Sequence, residues 1–167
     1  MGIFAIYKLN KILLISVDFD DTLIPWVARL NLEFTYLSNK KFRERGINLS
    51  KEQWVVLKYL NQRDGLTQND LAFITHRDKT SMTRLIDNME KKGYIKREIS
   101  VQDRRINHIY IRKSGRNILY QTVPIMTELI HNMQAGIDTE TIQKTIKVLK
   151  IVEKKLKENS EQTLSKT

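Results

Sequence analysis

Asp78-Lys79-Thr80-Ser81-Met82-Thr83-Arg84-Leu85-Ile86-Asp87-Asn88-Met89-Glu90-Lys91-Lys92-Gly93 is the stretch on which the fold turns. Met82, Leu85, Ile86 and Met89 fall at i, i+3, i+4 and i+7, which puts them on one stripe of a helix. Asp78 suits the start of that helix, and Gly93 suits its end, where a residue tolerant of positive φ is wanted. The opposite face carries Lys79, Thr80, Ser81, Thr83, Arg84 and Asn88, with Arg77 at the entry. A helix that buries one face and offers short polar and basic side chains on the other has the composition needed to enter a DNA major groove. Thr and Ser permit close approach. Arg84 suits either a bidentate contact to guanine or a clamp on a phosphate.

On the N-terminal side, a short helix is expected after Thr67, with Leu71 and Ile74 turned inward. Before it, Ser50-Lys51-Glu52-Gln53 fits a capping box that opens a helix carrying Trp54, Leu57 and Leu60 to the core. On the C-terminal side the period changes. Tyr94-Ile95-Lys96-Arg97-Glu98-Ile99 is short and β-prone, and His108-Ile109-Tyr110-Ile111-Arg112 alternates strictly. The polar, basic stretch Ser100 to Asn107 between them reads as the tip of a hairpin. Two short helices joined by a tight turn and followed by a basic hairpin make a winged helix-turn-helix. The head is expected over residues 50–112, the helix-turn-helix over 66–93 and the wing over 94–112. Gln102-Asp103-Arg104-Arg105 at the tip suits an arm in the minor groove, whose negative potential attracts arginine. Asp103 is expected to orient Arg105 by a salt bridge, leaving Arg104 or Arg105 to enter the groove.

Charge points the same way. The chain of 167 residues carries a formal net charge of +10. Residues 76–116 hold 12 Lys/Arg against 5 Asp/Glu, so most of the excess lies in a quarter of the sequence. Concentration on one segment marks a polyanion footprint rather than a solubility surface. Single-strand binding by base stacking is disfavoured, because Tyr94 and Tyr110 read as hairpin core. There is no cysteine, which excludes disulfides and thiolate metal sites and suits a cytoplasmic protein. His76, His108 and His131 lack partners at ligand spacing, so no metal and no cofactor is expected. The apolar run Ile3 to Val17 is broken by Lys8, Asn10 and Lys11 and is too short to span a bilayer, so no membrane role is expected.

The run Leu66-Thr67-Gln68-Asn69-Asp70-Leu71-Ala72, the stretch Asp78 to Ile95, the wing Asp103-Arg104-Arg105 and Lys113-Ser114-Gly115-Arg116 together resemble the MarR (multiple antibiotic resistance regulator) family. The resemblance extends from about Asn48 to Leu156. It implies a homodimer with two recognition helices on a near-palindromic operator in double-stranded DNA. It also implies repression relieved by a small aromatic or phenolic ligand held between dimerisation helices and the head. No motif fixes the ligand residues.

The flanks read as helices for self-association, around a fold that is mainly α with a small β-hairpin wing (α+β). In residues 22–45, Leu23, Val27, Leu30, Phe34 and Leu37 step 4, 3, 4, 3. In residues 114–135, Leu119, Val123, Met126, Ile130 and Met133 do the same, with a kink expected at Pro124. Residues 138–158 carry Ile142, Ile146, Leu149, Val152 and Leu156. The MarR-type domain is thus expected over 22–158, with an arm of unassigned role at 1–21 and a flexible tail at 159–167. Asp18-Phe19-Asp20-Asp21-Thr22-Leu23 after the apolar Ile12 to Val17 resembles the nucleophile motif of haloacid-dehalogenase-type phosphatases, with Asp18 as nucleophile and Asp20 as general acid. That fold needs a parallel sheet, and the rest of the chain offers helices and one hairpin. The motif is therefore read as a cap, Asp20 or Asp21, for the first helix, and no catalytic residue is assigned.

Overall fold

The computed structural model describes residues 19–164. After a 3-10 turn at Phe19–Asp21 the elements are α1 (Leu23–Glu44), α2 (Lys51–Gln62), β1 (Leu66–Thr67), α3 (Gln68–Ile74), α4 (Lys79–Lys91), β2 (Ile95–Ile99), β3 (Asn107–Ile111), α5 (Lys113–Gln134) and α6 (Thr139–Leu164). The sheet is antiparallel in the order β1-β3-β2. Leu66 faces Ile109, and Ile95 faces Ile111. The chain divides after Met126 into two compact units, the second holding the last turns of α5 and all of α6. Within the described residues, no helix is long and apolar enough to cross a membrane.

Local chemistry sets the helix starts. Ser50 accepts the Gln53 backbone N–H while the Gln53 side chain takes the Ser50 N–H, the expected capping box. Thr67 and Asp70 form a second box at α3. Asp78 caps α4 by accepting the backbone N–H of Ser81 at 2.8 Å. Gly93, at φ 72°, stops α4 and turns the chain into the wing.

The first unit has one core. Phe42 from α1, Val56, Leu57 and Leu60 from α2, Leu71 from α3, Met82, Ile86 and Met89 from α4, and Ile95 and Ile109 from the sheet have no solvent exposure. Leu119, Ile125 and Met126 of α5 close it. The inward residues expected of α2, α3 and α4 are borne out, except that Trp54, Ile74 and Leu85 are only partly buried.

Several expectations for the flanks need correction. The capping residue of α1 is Thr22, not Asp20 or Asp21. Asp20 instead pairs with Arg29 at 2.9 Å and accepts the Trp26 indole N–H on its backbone carbonyl. In α1 the spaced apolar residues do not form a buried seam: Leu23, Val27 and Leu30 are exposed, and Ser38 and Phe42 are the buried positions. In α5 the buried stripe is Leu119, Thr122, Ile125, Met126 and Leu129, whereas Val123, Ile130 and Met133 are exposed. The stepped residues share one face of each helix, but in α5 the arc that meets the core lies to one side of it and takes only Leu119 and Met126. The last helix continues past Glu158 to Leu164, into what was expected to be tail. The hairpin has a third strand, β1, which is two residues long and too short for any alternation to register. The proposed nucleophile Asp18 and the segment Ile12 to Val17 lie outside the described residues, as does most of the arm assigned to 1–21.

The start of α5 sits directly on the junction of α4 and the wing. Ser114 donates to the Gly93 carbonyl at 2.5 Å, and Arg112 N–H to the Tyr94 carbonyl at 2.9 Å. A Cβ placed on Gly115 would stand 2.2 Å from that same Tyr94 oxygen. Backbone cannot yield there as a flexible side chain would. Gly115→Ala is therefore expected to destabilise the head by about 2 kcal/mol, the usual scale of an overpacked site, read as a lowered midpoint in urea unfolding.

Candidate nucleic-acid interface

Burial of Met82, Ile86 and Met89 turns the other side of α4 to solvent. Lys79, Thr80, Arg84 and Asn88 are exposed there, and Arg77, Ser81 and Thr83 are half-buried. These are the residues expected to face DNA, and α4 brings all of them but Arg77 onto one element. Arg77 sits in the turn before it, where its N–H closes onto the Ala72 carbonyl at 2.9 Å. The turn itself depends on His76, which holds φ 51°. Histidine enters the left-handed region more readily than most side chains, so no glycine marks this turn in the sequence.

Hydrogen bonding then restricts what each side chain can offer. Ser81 donates to the Asp78 carboxylate at 2.7 Å. With the Ser81 hydroxyl first and its backbone N–H second, these bonds hold the Asp78 carboxyl below the usual carboxylate range. Thr83 donates to the Lys79 carbonyl at 2.8 Å and accepts from the Gln68 amide at 2.8 Å. Asn88 accepts from Gln53 Nε2 at 2.7 Å. The Gln53 orientation is fixed independently, because its Oε1 takes two groups that can only donate, Ser50 N–H and Lys92 Nζ. Asn88 therefore shows its own NH2 outward. Bidentate reading of adenine needs a donor and an acceptor together, and Gln53 already takes one of the two lone pairs of that acceptor.

The wing tip is folded by its own side chains. Buried Ser100 accepts the backbone N–H of Gln102 and of Asp103, and Asp103 N–H lies 3.4 Å from the hydroxyl. The expected link from Asp103 to Arg105 exists, but in a different form. Asp103 Oδ1 accepts the Arg105 backbone N–H at 2.9 Å, and no ion pair between their side chains is formed. An Asx-type turn of this kind fixes the loop and leaves the guanidinium outside. Arg104 and Arg105 are both exposed.

The segment 76–116 keeps its acids to itself. Asp78 holds Ser81, Asp87 and Glu90 both pair with Arg97, Glu98 pairs with Lys96, and Asp103 holds the Arg105 N–H. Arg97 thereby ties β2 to α4, with its backbone N–H also on Glu90 at 2.9 Å. Arg116 turns away to Asp64 at 2.7 Å and Asn61 at 3.1 Å. Lys92 reaches Asn48 and Gln53, and its burial there pulls its pKa below the usual lysine value. Among the described residues, no acid pairs with Arg77, Lys79, Arg84, Lys91, Arg104, Arg105, Arg112 or Lys113. Sequence reading gave Arg84 and the wing arginines. It missed that the acids nearby are neutralised internally, which only cross-element contacts reveal.

A cleft of about 560 Å³ opens behind the turn. Its walls come from α1, α2 and the α3–α4 turn, and include Lys51, Tyr59, His76, Arg77, Asp78 and Ser81. It thus reaches the capped N-terminus of α4. No group of three or more potential metal ligands occurs among the described residues.

Known proteins resemble this arrangement. Residues 49–106 match the MarR family. The transcriptional repressor MprA of Escherichia coli K12 is 25% identical over 101 residues, which are 60% of this chain and 57% of MprA. The chain therefore spans a little over half the length of that curated relative. The S. aureus MepR–DNA complex superposes with a TM-score of 0.70 at 26% identity, covering 80% of this chain and 98% of MepR. A MarR protein from Peptoclostridium difficile gives a TM-score of 0.75 at 18% identity over 84% and 91% of the two chains, a likeness of fold. With three capped helices, a left-handed turn and a tied wing, the head is a winged helix-turn-helix, and residues 49–106 of it match the MarR family.

Proposed function

We propose that this chain is a transcriptional regulator, acting as a repressor, that binds a near-palindromic operator as a homodimer and is released by a small aromatic acid or phenol. The observation that carries the reading is the charge partition of the head. The acids of residues 76–116 are bound within the fold, while eight cations on the α3–α4 turn, the recognition helix, the wing and the start of α5 have no acidic partner among the described residues. Such a surface neutralises phosphates and releases counterions. Thr80, Thr83, Arg84 and the amide of Asn88 supply groups for base edges from α4, and Arg104 or Arg105 supplies the minor-groove contact from the wing. The relatives support the direction of control: MprA is named a repressor, and MepR was solved on DNA.

Dimerisation is supported by apolar side chains with no partner in one copy. Leu23, Ile24, Val27, Leu30 and Leu32 on α1 are all exposed, as are Ile146 and Leu149 on α6. Several exposed apolar side chains on one helix usually mark an interface. A two-fold operator also requires two heads about one helical turn, roughly 34–36 Å, apart. The cleft behind the α3–α4 turn supports ligand control. Lys51, His76 and Arg77 offer cationic or donor groups to a carboxylate or phenolate, and Tyr59 offers an aromatic wall. An occupant there touches Asp78 and Ser81, the cap that sets the first turn of α4.

Duplexes enriched by the purified protein from a random pool test the central claim; equal affinity for all sequences would leave only a nonspecific binder. On an enriched duplex, Arg84→Ala is expected to weaken binding by about ten- to a hundredfold, the range of one lost base contact. Arg105→Ala should lower the slope of log affinity against log salt by about 1 if the wing sits on phosphates, and less if it reads the groove floor. Leu30→Glu should shift the protein to monomer in sedimentation and weaken operator binding with it. Salicylate should release the wild-type protein from the duplex, whereas Lys51→Met should bind DNA normally in its absence and respond to it weakly.

A further inference from the structure

The hydrogen bonds around Thr83 carry a specificity that charge alone does not. Thr83 stands in the N-terminal half of α4, half-buried, next to exposed Arg84. Its neighbour across the helix-turn-helix is Gln68, the first residue of α3. Gln68 also lines a small cavity of about 60 Å³ shared with Asn69, Arg105 and Asn107 of the wing. Thr83 therefore lies on the side of the recognition helix that is continuous with the arginine-bearing wing. That is the side a duplex must meet if helix and wing contact it together.

What Thr83 can offer there is narrow. A threonine hydroxyl has one proton, and this one goes to the Lys79 carbonyl. The Gln68 amide occupies one of its lone pairs. Turning the Gln68 amide over would change only which internal oxygen takes the proton. In either setting Thr83 has no hydrogen to donate to guanine N7, guanine O6 or thymine O4. What remains without an internal commitment is its methyl and one hydroxyl lone pair, which suits only the amino donors of adenine or cytosine. In the major groove the apolar feature of a base edge is the 5-methyl of thymine.

We propose that Thr83, held by Gln68, reads a thymine in the operator half-site through methyl–methyl contact, with Gln68 as the positioning residue. The inference rests on the operator-binding reading above. Ser81 has a similarly committed hydroxyl but no methyl, so it offers no equivalent contact. Lys79 and Arg84 are donors toward neighbouring acceptor edges, and the thymine contact adds an apolar element to an otherwise cationic surface.

The test uses the full chain and a duplex enriched from a random pool, with each dT replaced in turn by dU, which deletes only the 5-methyl. For wild type, one dT in each half-site should lose about fourfold in affinity on replacement, the scale of one unburied methyl. Thr83→Ser keeps the hydroxyl and lacks the methyl; it should bind the dT duplex about as weakly as wild type binds dU, and be indifferent to the replacement. Thr83→Val carries a methyl at both branches and should retain the dT-over-dU preference. Gln68→Ala should erode the preference in wild type and leave it unchanged in Thr83→Val, which a merely structural role for Gln68 would not produce. Loss of the preference in Thr83→Val with retention in Thr83→Ser would mean that the hydroxyl reads the base, and would overturn the proposal. So would a duplex insensitive to dU at every position. Failure to enrich any duplex is a different result, since it removes operator binding itself.

Discussion

The rotational setting of α4 is the constraint on which the rest of the head depends. Met82, Ile86 and Met89 have no solvent exposure, and each buried side chain of this size contributes about 1.5–3 kcal/mol relative to exposure. Rolling the helix by one residue turns it about 100° and brings part of that stripe to water. The roll is therefore strongly specified, and with it the outward placement of Thr80 and Arg84. Two further ties reinforce it from opposite ends. Asp78 fixes the first turn, and Asn88 is joined to buried Gln53 of α2 near the last. A recognition surface held at both ends gives up little side-chain and backbone freedom when a ligand meets it, which favours binding through preorganisation.

The wing is placed by the same helix. Arg97 of β2 takes both Asp87 and Glu90, which sit one turn apart on α4. Gly93 allows the chain to reverse there, and Gly115 lets α5 come down on the Tyr94 carbonyl without a clash. The N-terminal end of the sheet is fastened separately: Asp64 accepts Ile111 N–H at 2.9 Å and holds Arg116 at 2.7 Å. Asp64 thus links the α2–β1 turn, β3 and α5. The wing stem is consequently rigid relative to α4, while the tip, from Val101 to Arg105, is exposed and shaped by the side chains of Ser100 and Asp103 and by backbone bonds to Ile106. Rigid stem and exposed tip suit an arm whose reach is set by the head and whose final fit is made on the partner.

Much of the head was legible in the sequence because its signals are local. Capping boxes at Ser50 and Thr67 act within three residues, and the stripe on α4 repeats within two turns. The flanks were less legible for a physical reason. Apolar spacing in α1 and α5 reports a face, but not whether that face meets the same chain or another one. Leu119 and Val123 looked equivalent in spacing, yet only Leu119 packs on the core. The site was legible by residue type and not by state. Nothing local shows that the Asn88 oxygen is engaged by Gln53, 35 positions away, or that Asp103 binds a backbone N–H instead of a guanidinium. Those facts belong to tertiary contacts that a single chain of letters does not order.

The charge of the head carries a consequence of its own. Gathering unpaired cations on one short segment raises their mutual repulsion, and internal pairing of the acids deepens it by withholding the nearest counter-charges. A globular surface selected for stability alone would turn Asp87 and Glu90 toward Arg84 and Lys91. Here both face Arg97, which locks the wing and leaves the outward field positive. One arginine thus does two jobs at once, joining two elements and screening two carboxylates from the exposed face. Salt and polyanions relieve the same repulsion, so the arrangement that destabilises the free head is the one that favours its occupied state. Structure and electrostatics converge on Arg97, whose guanidinium is committed to Asp87 and Glu90 within the fold.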